Sequence, residues 1–160
     1  METRLVKLEF PDQTNIIVGH THFIKTVQDL YEIMVSSVPG AEFGLAFCEA
    51  SGPCLVRTDG NADDLMESAV KNALAVGAGH TFYMVMRKAY PINVLNAVKA
   101  CQEVCTIFCA TANPVEVVVA VSGQGNGILG VIDGFAPKGV ENAQDKAERI
   151  GMMQRFGYKR

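Results

Sequence analysis

The residues best suited to chemistry lie in one short segment, residues 19–26, with the sequence GHTHFIKT. It contains two imidazoles, His20 and His22, followed by the ammonium group of Lys25 and the hydroxyl of Thr26. If the segment is extended, His20 and His22 share one face, because alternate residues of a strand point the same way. If the helix has already begun at residue 23, His22 instead comes near Lys25 and Thr26. Either arrangement could bind an anion.

The elements on either side of this segment determine what it can bind. A β-branched run at 16–18 predicts a strand, and apolar residues spaced by three and four predict an amphipathic helix from Thr26 to about Ser37. Thr26 is the predicted N-cap, with Asp29 three residues later. Free N–H groups and the positive end of the helix dipole make such a terminus a natural phosphate site. The alternative is that these side chains are ordinary capping and surface residues.

A second group of polar residues surrounds a predicted hairpin. Glu49 directly follows a continuous apolar run at 43–48, and Arg57 ends the next predicted strand. Ser51 and Gly52 belong to the small-residue turn between them. Arg57 could either pair with Glu49 across the hairpin or bind an anion.

Other candidates are more isolated in the sequence. Asn93 and Asn113 carry amides that could recognise a base or a sugar, although helix-surface and turn roles explain them equally well. Asp133 ends a glycine-rich hairpin, where an aspartate often bonds its own backbone. His80 precedes a predicted strand and could simply be a half-buried histidine.

The stretch at 125–130 reads GNGILG and matches G-x-G-x-x-G. A dinucleotide site requires a helix to begin there, whereas both flanks resemble strands and Asn126-Gly127 favours a two-residue hairpin turn. We therefore reject a Rossmann site. The sequence also contains no G-x-x-x-x-G-K-[ST] phosphate-binding loop.

Composition limits the possible classes of protein. The 160 residues are 49% hydrophobic, which predicts a single domain spanning residues 1–160. A net charge of -3 and the lack of a basic stripe argue against nucleic-acid binding. There is no apolar window of membrane-spanning length and no signal-peptide pattern, so we expect a soluble, cytoplasmic protein with no membrane partner.

The five cysteines are odd in number and include no C-x-x-C pair. Buried free thiols are the favoured interpretation. The alternative is a metal site built from Cys101 and Cys105, if these share a helical face; no metal ligands are assigned.

The pattern along the chain predicts an α+β fold. We expect a single domain with a mixed, largely antiparallel sheet of about eight strands, covered by about four helices.

Six blocks of this sequence, in matching order, resemble the adenosine-specific kinase family. They are HFIKT at 22–26, FCEASGP at 47–53, GAGH at 77–80, PINVLN at 91–96, CATANP at 109–114 and GVIDG at 130–134. The resemblance covers nearly the whole chain. It implies binding of adenosine and AMP, a phosphorylated histidine and a homo-oligomer, expected to be a trimer. We assign the modified histidine to His22, which lies in the most characteristic block.

On this resemblance the protein is a phosphotransferase acting on adenosine. A neutral imidazole can attack phosphorus directly and pass the phosphoryl group to a ribose hydroxyl. The expected catalytic residues are His22, Lys25, Glu49 and Asp133. The expected substrate-binding residues are Arg57, Ser51, Gly52, Asn93, Asn113 and His80. ATP with Mg²⁺ is the expected phosphoryl donor, and the alternative function is a non-catalytic adenosine or AMP sensor.

Overall fold

Short strands alternate with four helices in the computed structural model, which describes residues 1–158. The strands and helices, in chain order, are β1 (Glu2–Lys7), β2 (Asn15–Thr21), α1 (Thr26–Ser37), β3 (Glu42–Cys48), β4 (Val56–Gly60), α2 (Asp63–Val76), β5 (Thr81–Arg87), α3 (Pro91–Ala100), β6 (Val104–Thr111), β7 (Val115–Val121), β8 (Asn126–Asp133) and α4 (Ala143–Arg155).

The predicted α+β class, with eight strands and four helices, is confirmed. The strands divide between two sheets rather than forming one: a five-stranded sheet in the order β4-β3-β5-β2-β6 and a three-stranded sheet in the order β1-β7-β8. Every pairing between these named strands is antiparallel. Strand β7 pairs with β1 and β8, and its alternate valines 115, 117 and 119 are fully buried against the larger sheet.

Two hydrophobic cores lie on opposite faces of the five-stranded sheet. Helices α1 and α3 cover one face, where Ile17, Phe43 and Met84 are buried. Helix α2 and the three-stranded sheet cover the other, where Val18 and Tyr83 are buried. Because successive side chains of a strand point to opposite faces of the sheet, neighbouring residues of one strand contribute to different cores.

Helix α2 lies directly on strand β3 because Gly44 has no side chain. A Cβ atom at Gly44 would lie only 2.2 Å from the backbone carbon of Leu65. The helix ends at Gly77, whose φ of 63° is a left-handed conformation that glycine adopts without steric cost.

The hairpin at the GNGILG stretch is confirmed, although its turn lies earlier than the sequence suggested. Residues 122–125 form the connection, and Asn126 is the first residue of β8. The Asn126 Nδ2 donates to the carbonyl of Val76 at 3.0 Å, which ties the strand to the end of α2. The stretch is flanked by β7 and β8, so the helix that a Rossmann dinucleotide site requires does not begin here.

All five cysteines are free, and Cys48 and Cys109 are buried. Cys101 lies just after α3 and Cys105 lies in β6, so the two thiols do not share a helical face. Helix α4 buries none of its residues in this chain. Within residues 1–158, no helix combines the length and apolar character that crossing a bilayer requires.

Candidate functional site

All three histidines of the chain lie at one end of the five-stranded sheet. His20 is in β2, His22 follows the end of that strand, and His80 precedes β5, the neighbouring strand. The ring centroid of His80 is 6.2 Å from that of His20 and 6.5 Å from that of His22. The antiparallel pairing of β2 with β5 thus brings together side chains about 60 residues apart in sequence.

The backbone of His80 is fixed in a conformation that is uncommon for a residue with a side chain. Its φ is +58°, and such outliers concentrate at functional sites. Its N–H donates to the carbonyl of Cys48 at 2.7 Å, and its carbonyl accepts from the N–H of Thr21 at 2.8 Å. Its ring stacks on Phe47 with centroids 5.9 Å apart. These contacts hold the imidazole between β2 and β3.

His20 is half-buried, as is His80. Burial lowers the pKa of His20 below its usual 6.5, and the neighbouring His80 lowers it further. The ring is therefore largely neutral near pH 7, and a neutral imidazole can accept a proton or act as a nucleophile.

His22 has an exposed side chain on a well-anchored backbone. Its N–H donates to the carbonyl of Glu103 at 2.8 Å, and its ring lies against Phe23 at 6.1 Å between centroids. Strand β2 ends at Thr21 and α1 begins only at Thr26, so no helix has begun at residue 23. His22 therefore corresponds to the extended alternative and lies on the same side as His80.

The predicted N-cap role of Thr26 is wrong. Lys25 occupies the N-cap position, and no side chain caps the helix. Thr26 is instead buried in the first turn, where its hydroxyl lies 2.6 Å from the Phe23 carbonyl and shares a 2.6 Å hydrogen bond with the hydroxyl of Thr21. These bonds fix the two ends of the segment that carries His22.

The ammonium group of Lys25 is already paired. It bonds with Asp29 one turn along α1, and this hydrogen bond raises the pKa of Lys25. Lys25 therefore forms an ion pair within α1 and is not an unpaired cation beside an imidazole.

A cavity of about 760 Å³ adjoins the histidine cluster. His20, His80, Cys48 and Glu49 line one side of it, and residues 124–127 of the three-stranded sheet line another. This volume is within the range of small-molecule sites and is sufficient for a nucleoside.

Glu49 and Arg57 form the ion pair that the sequence offered as one of two alternatives. The Nη2 atom of Arg57 lies 2.9 Å and 3.0 Å from the two Glu49 oxygens. Glu49 also accepts the N–H of Leu55 at 3.0 Å, and this bond, followed by the Arg57 guanidinium, holds the pKa of Glu49 below its usual value. The Nε atom of Arg57 is buried and has no acceptor among residues 1–158.

Ser51 and Gly52 lie in the exposed turn of this hairpin, beside Ala50, which lines the cavity. They are next to the cavity but do not line it.

The other predicted residues lie elsewhere. The Asn93 Oδ1 accepts from the N–H of Tyr90 at 2.8 Å and so caps α3.

Asn113 and Asp133 bond to one another, with Asn113 Nδ2 3.3 Å from Asp133 Oδ1. Asp133 ends the strand whose first residue, Asn126, lines the cavity. At about 3.3 Å per residue, the two ends of this strand are roughly 20 Å apart. A single chain therefore does not bring Asp133 and Asn113 to the histidines.

Sequence reasoning did not include His20 or Cys48 among the site residues. The alternation of His20 with His22 was a usable signal for the first of these. Cys48 falls within the FCEASGP block, but no local pattern predicts that it lines a cavity; it does so because β3 ends beside α2.

An α+β fold of two antiparallel sheets, with a histidine-lined cavity where their ends meet, defines the architecture. The chain belongs to the adenosine specific kinase family, whose sequence profile matches residues 6–159. It is also similar to the crystal structure of the PH1918 protein from Pyrococcus horikoshii OT3, with 40% sequence identity and a TM-score of 0.95. That match covers 99% of this chain and 98% of the other. No curated protein matches the chain significantly.

Proposed function

We propose that this protein binds adenosine and AMP in the cavity beside the histidine cluster and transfers a phosphoryl group to adenosine through His22. Family membership supports the substrate and the class of reaction. The proposal rests on the histidine cluster beside the cavity. His20 and His80 line this cavity of nucleoside size, and the ring centroid of His22 lies 6.5 Å from that of His80.

The proposed reaction has two transfers. The imidazole of His22 attacks the terminal phosphorus of a nucleotide donor, for which we propose ATP, and ADP leaves. The 5′-hydroxyl of adenosine then attacks the phosphohistidine, and the products are AMP and free His22. His20 is suited to accept the hydroxyl proton because burial keeps its imidazole neutral near pH 7.

The negative charge on the transferred phosphoryl group must be stabilised by a cation in the site. Arg57 can supply one, since its side chain is 36% exposed and its guanidinium contacts Glu49, which lines the cavity. Glu49 does not fit the role of a Mg²⁺ ligand in this arrangement, since both its oxygens accept hydrogen bonds from Arg57 and one also accepts from Leu55. We therefore assign charge stabilisation to Arg57, and Glu49 is the residue that orients it.

The remaining predicted residues would act across a subunit boundary. Helix α4 buries no residue within its own chain and exposes Ile150 and Phe156, which supports a homo-oligomer, proposed as a trimer. Such an assembly could bring Asn93, Asn113 or Asp133 of another copy toward the cavity.

A non-catalytic adenosine or AMP sensor is the second candidate function. It is favoured by the Glu49–Arg57 ion pair, which partly neutralises the cation available to a phosphate, and by the lack of a phosphate-binding loop in the sequence.

Incubation with γ-labelled ATP and adenosine separates the two candidates. Catalysis predicts labelled AMP with the wild-type protein and an acid-labile labelled protein when adenosine is omitted, both lost in His22→Asn. His20→Asn should keep the labelled protein but slow its discharge to adenosine. Saturable adenosine binding with no label transfer would support the sensor and reject the phosphotransferase. If His80→Asn alone abolishes labelling of the protein, the assignment of His22 as the carrier is wrong.

A further inference from the structure

Three potential metal ligands meet on the side of the sheet that carries α1 and α3. Asp29 is in α1, Cys101 directly follows α3, and Glu103 precedes β6. One ligand atom of each lies within 4.8 Å of the other two. The cluster is separate from the cavity described above, since none of its members lines that cavity.

The carboxylate of Glu103 is buried within this cluster and has no partner among the described residues. Only 4% of the residue is exposed, and neither carboxylate oxygen has a hydrogen-bond partner among residues 1–158. Leaving a buried carboxylate unpaired is costly, so such groups are normally paired or bound to a metal. The nearby Lys25 does not fill this role, because its ammonium bonds with Asp29 and its side chain is 45% exposed.

We propose that Asp29, Cys101 and Glu103 bind a divalent transition-metal ion of the Zn²⁺ type. One thiolate and two carboxylates are a donor set that Zn²⁺ accepts, whereas Mg²⁺ and Ca²⁺ select oxygen ligands alone. With Lys25 beside Asp29, three anionic ligands and a divalent ion leave the site without net charge. Three protein ligands also leave a fourth position for water.

Binding must release the proton of Cys101. As the sulfur–metal bond forms, this proton passes to solvent, and metal affinity should therefore rise with pH.

The site would also stiffen the segment that carries His22. The carbonyl of Glu103 accepts the N–H of His22 at 2.8 Å, so a metal bound to the Glu103 carboxylate fixes the backbone to which that segment is anchored. This inference rests on residues outside the proposed reaction and stands whether or not phosphoryl transfer occurs.

Titration of the metal-free protein with Co²⁺ tests the proposal, since thiolate coordination to Co²⁺ gives a charge-transfer band in the near ultraviolet. The wild type should develop this band to saturation at one Co²⁺ per chain, and added Zn²⁺ should abolish it. Cys101→Ser should lose the band. The matched control, Cys54→Ser, removes an exposed thiol outside the cluster and should keep it.

Glu103→Gln preserves the shape of the side chain and should weaken Co²⁺ binding by about tenfold or more. A wild-type titration without a saturable band would overturn the proposal regardless of how the variants fold. Equal bands in wild type and Cys101→Ser would overturn it as well.

Discussion

The guanidinium of Arg57 lies against the carboxylate of Glu49 across the turn between β3 and β4, with Nη2 2.9 Å and 3.0 Å from the two oxygens. Glu49 lines the cavity, whereas Arg57 does not. The pair therefore places a cation, whose side chain is 36% exposed, against a residue that lines the proposed nucleotide site.

Arg57→Ala should weaken AMP binding more than adenosine binding, because only AMP carries a phosphate for the guanidinium to meet. A hydrogen bond to a charged group contributes about 1.5–3 kcal/mol, so the loss for AMP should be roughly tenfold or more. Isothermal titration calorimetry with both ligands measures the difference. Equal losses for AMP and adenosine would remove Arg57 from the phosphate site.

The extent of the helices and strands was largely predictable from local patterns. The predicted helix from Thr26 to Ser37 coincides with α1, and the predicted strand at 16–18 lies within β2. Both predictions rest on residue type and periodicity, which are local signals that do not depend on distant segments of the chain. The division into two sheets was not predictable in this way, since alternation shows which face is buried but not which strand is the partner.

The candidate site divides along the same line. The Glu49–Arg57 pair was foreseeable because one short turn separates the two residues. The convergence of His80 with His20 depends on the β2–β5 pairing, which no local pattern specifies. The pairing of Lys25 with Asp29 was missed, although residues four apart on a helix are natural ion-pair partners.

His20 should give the protein a pH-dependent stability. Its pKa is lowered in the folded state, by burial first and by His80 second. As pH falls below about 6.5, the unfolded chain binds a proton that folded His20 resists, so folding stability decreases until the pH reaches the folded pKa. Urea unfolding at a series of pH values should show this decrease in wild type and a smaller one in His20→Asn.

Replacing His80 tests whether the charge of this residue helps to lower the pKa of His20. In His80→Ala the pKa of His20 should rise but stay below 6.5, because burial remains. NMR titration of the imidazole resonances measures it, with His22→Asn as the control for assignment. An unchanged pKa of His20 in His80→Ala would contradict the charge coupling.

Gly44→Ala should destabilise the fold by pushing α2 away from β3. The added methyl group would lie 2.2 Å from backbone atoms of Leu65 and Met66, which cannot rotate aside as a side chain could. Overpacking of this kind costs roughly 1–3 kcal/mol or more in the free energy of unfolding. Gly130→Ala is the matched control, since a Cβ atom there meets nothing within 4 Å. Similar unfolding midpoints for the two variants would show that the helix accommodates the methyl group.

The C-terminal helix should hold the subunits together. Helix α4 has no buried residue, and its apolar side chains Ile150 and Met152 are 44% and 37% exposed. Exposed apolar side chains without a partner in their own chain favour burial against another copy. Ile150→Glu should therefore shift the protein from the oligomer, which we expect to be a trimer, toward smaller species.

Light scattering coupled to size-exclusion chromatography measures this shift. Gln144→Lys is the control, because Gln144 bonds only with Glu148 of the same helix and should leave the assembly intact.

Since Asn113 and Asp133 lie roughly 20 Å along β8 from the cavity, dissociation also tests their role. If they act from a neighbouring copy, Ile150→Glu should weaken adenosine binding, and Asp133→Asn should have no effect in the dissociated protein. Unchanged mass for Ile150→Glu would place the subunit contact elsewhere on the surface.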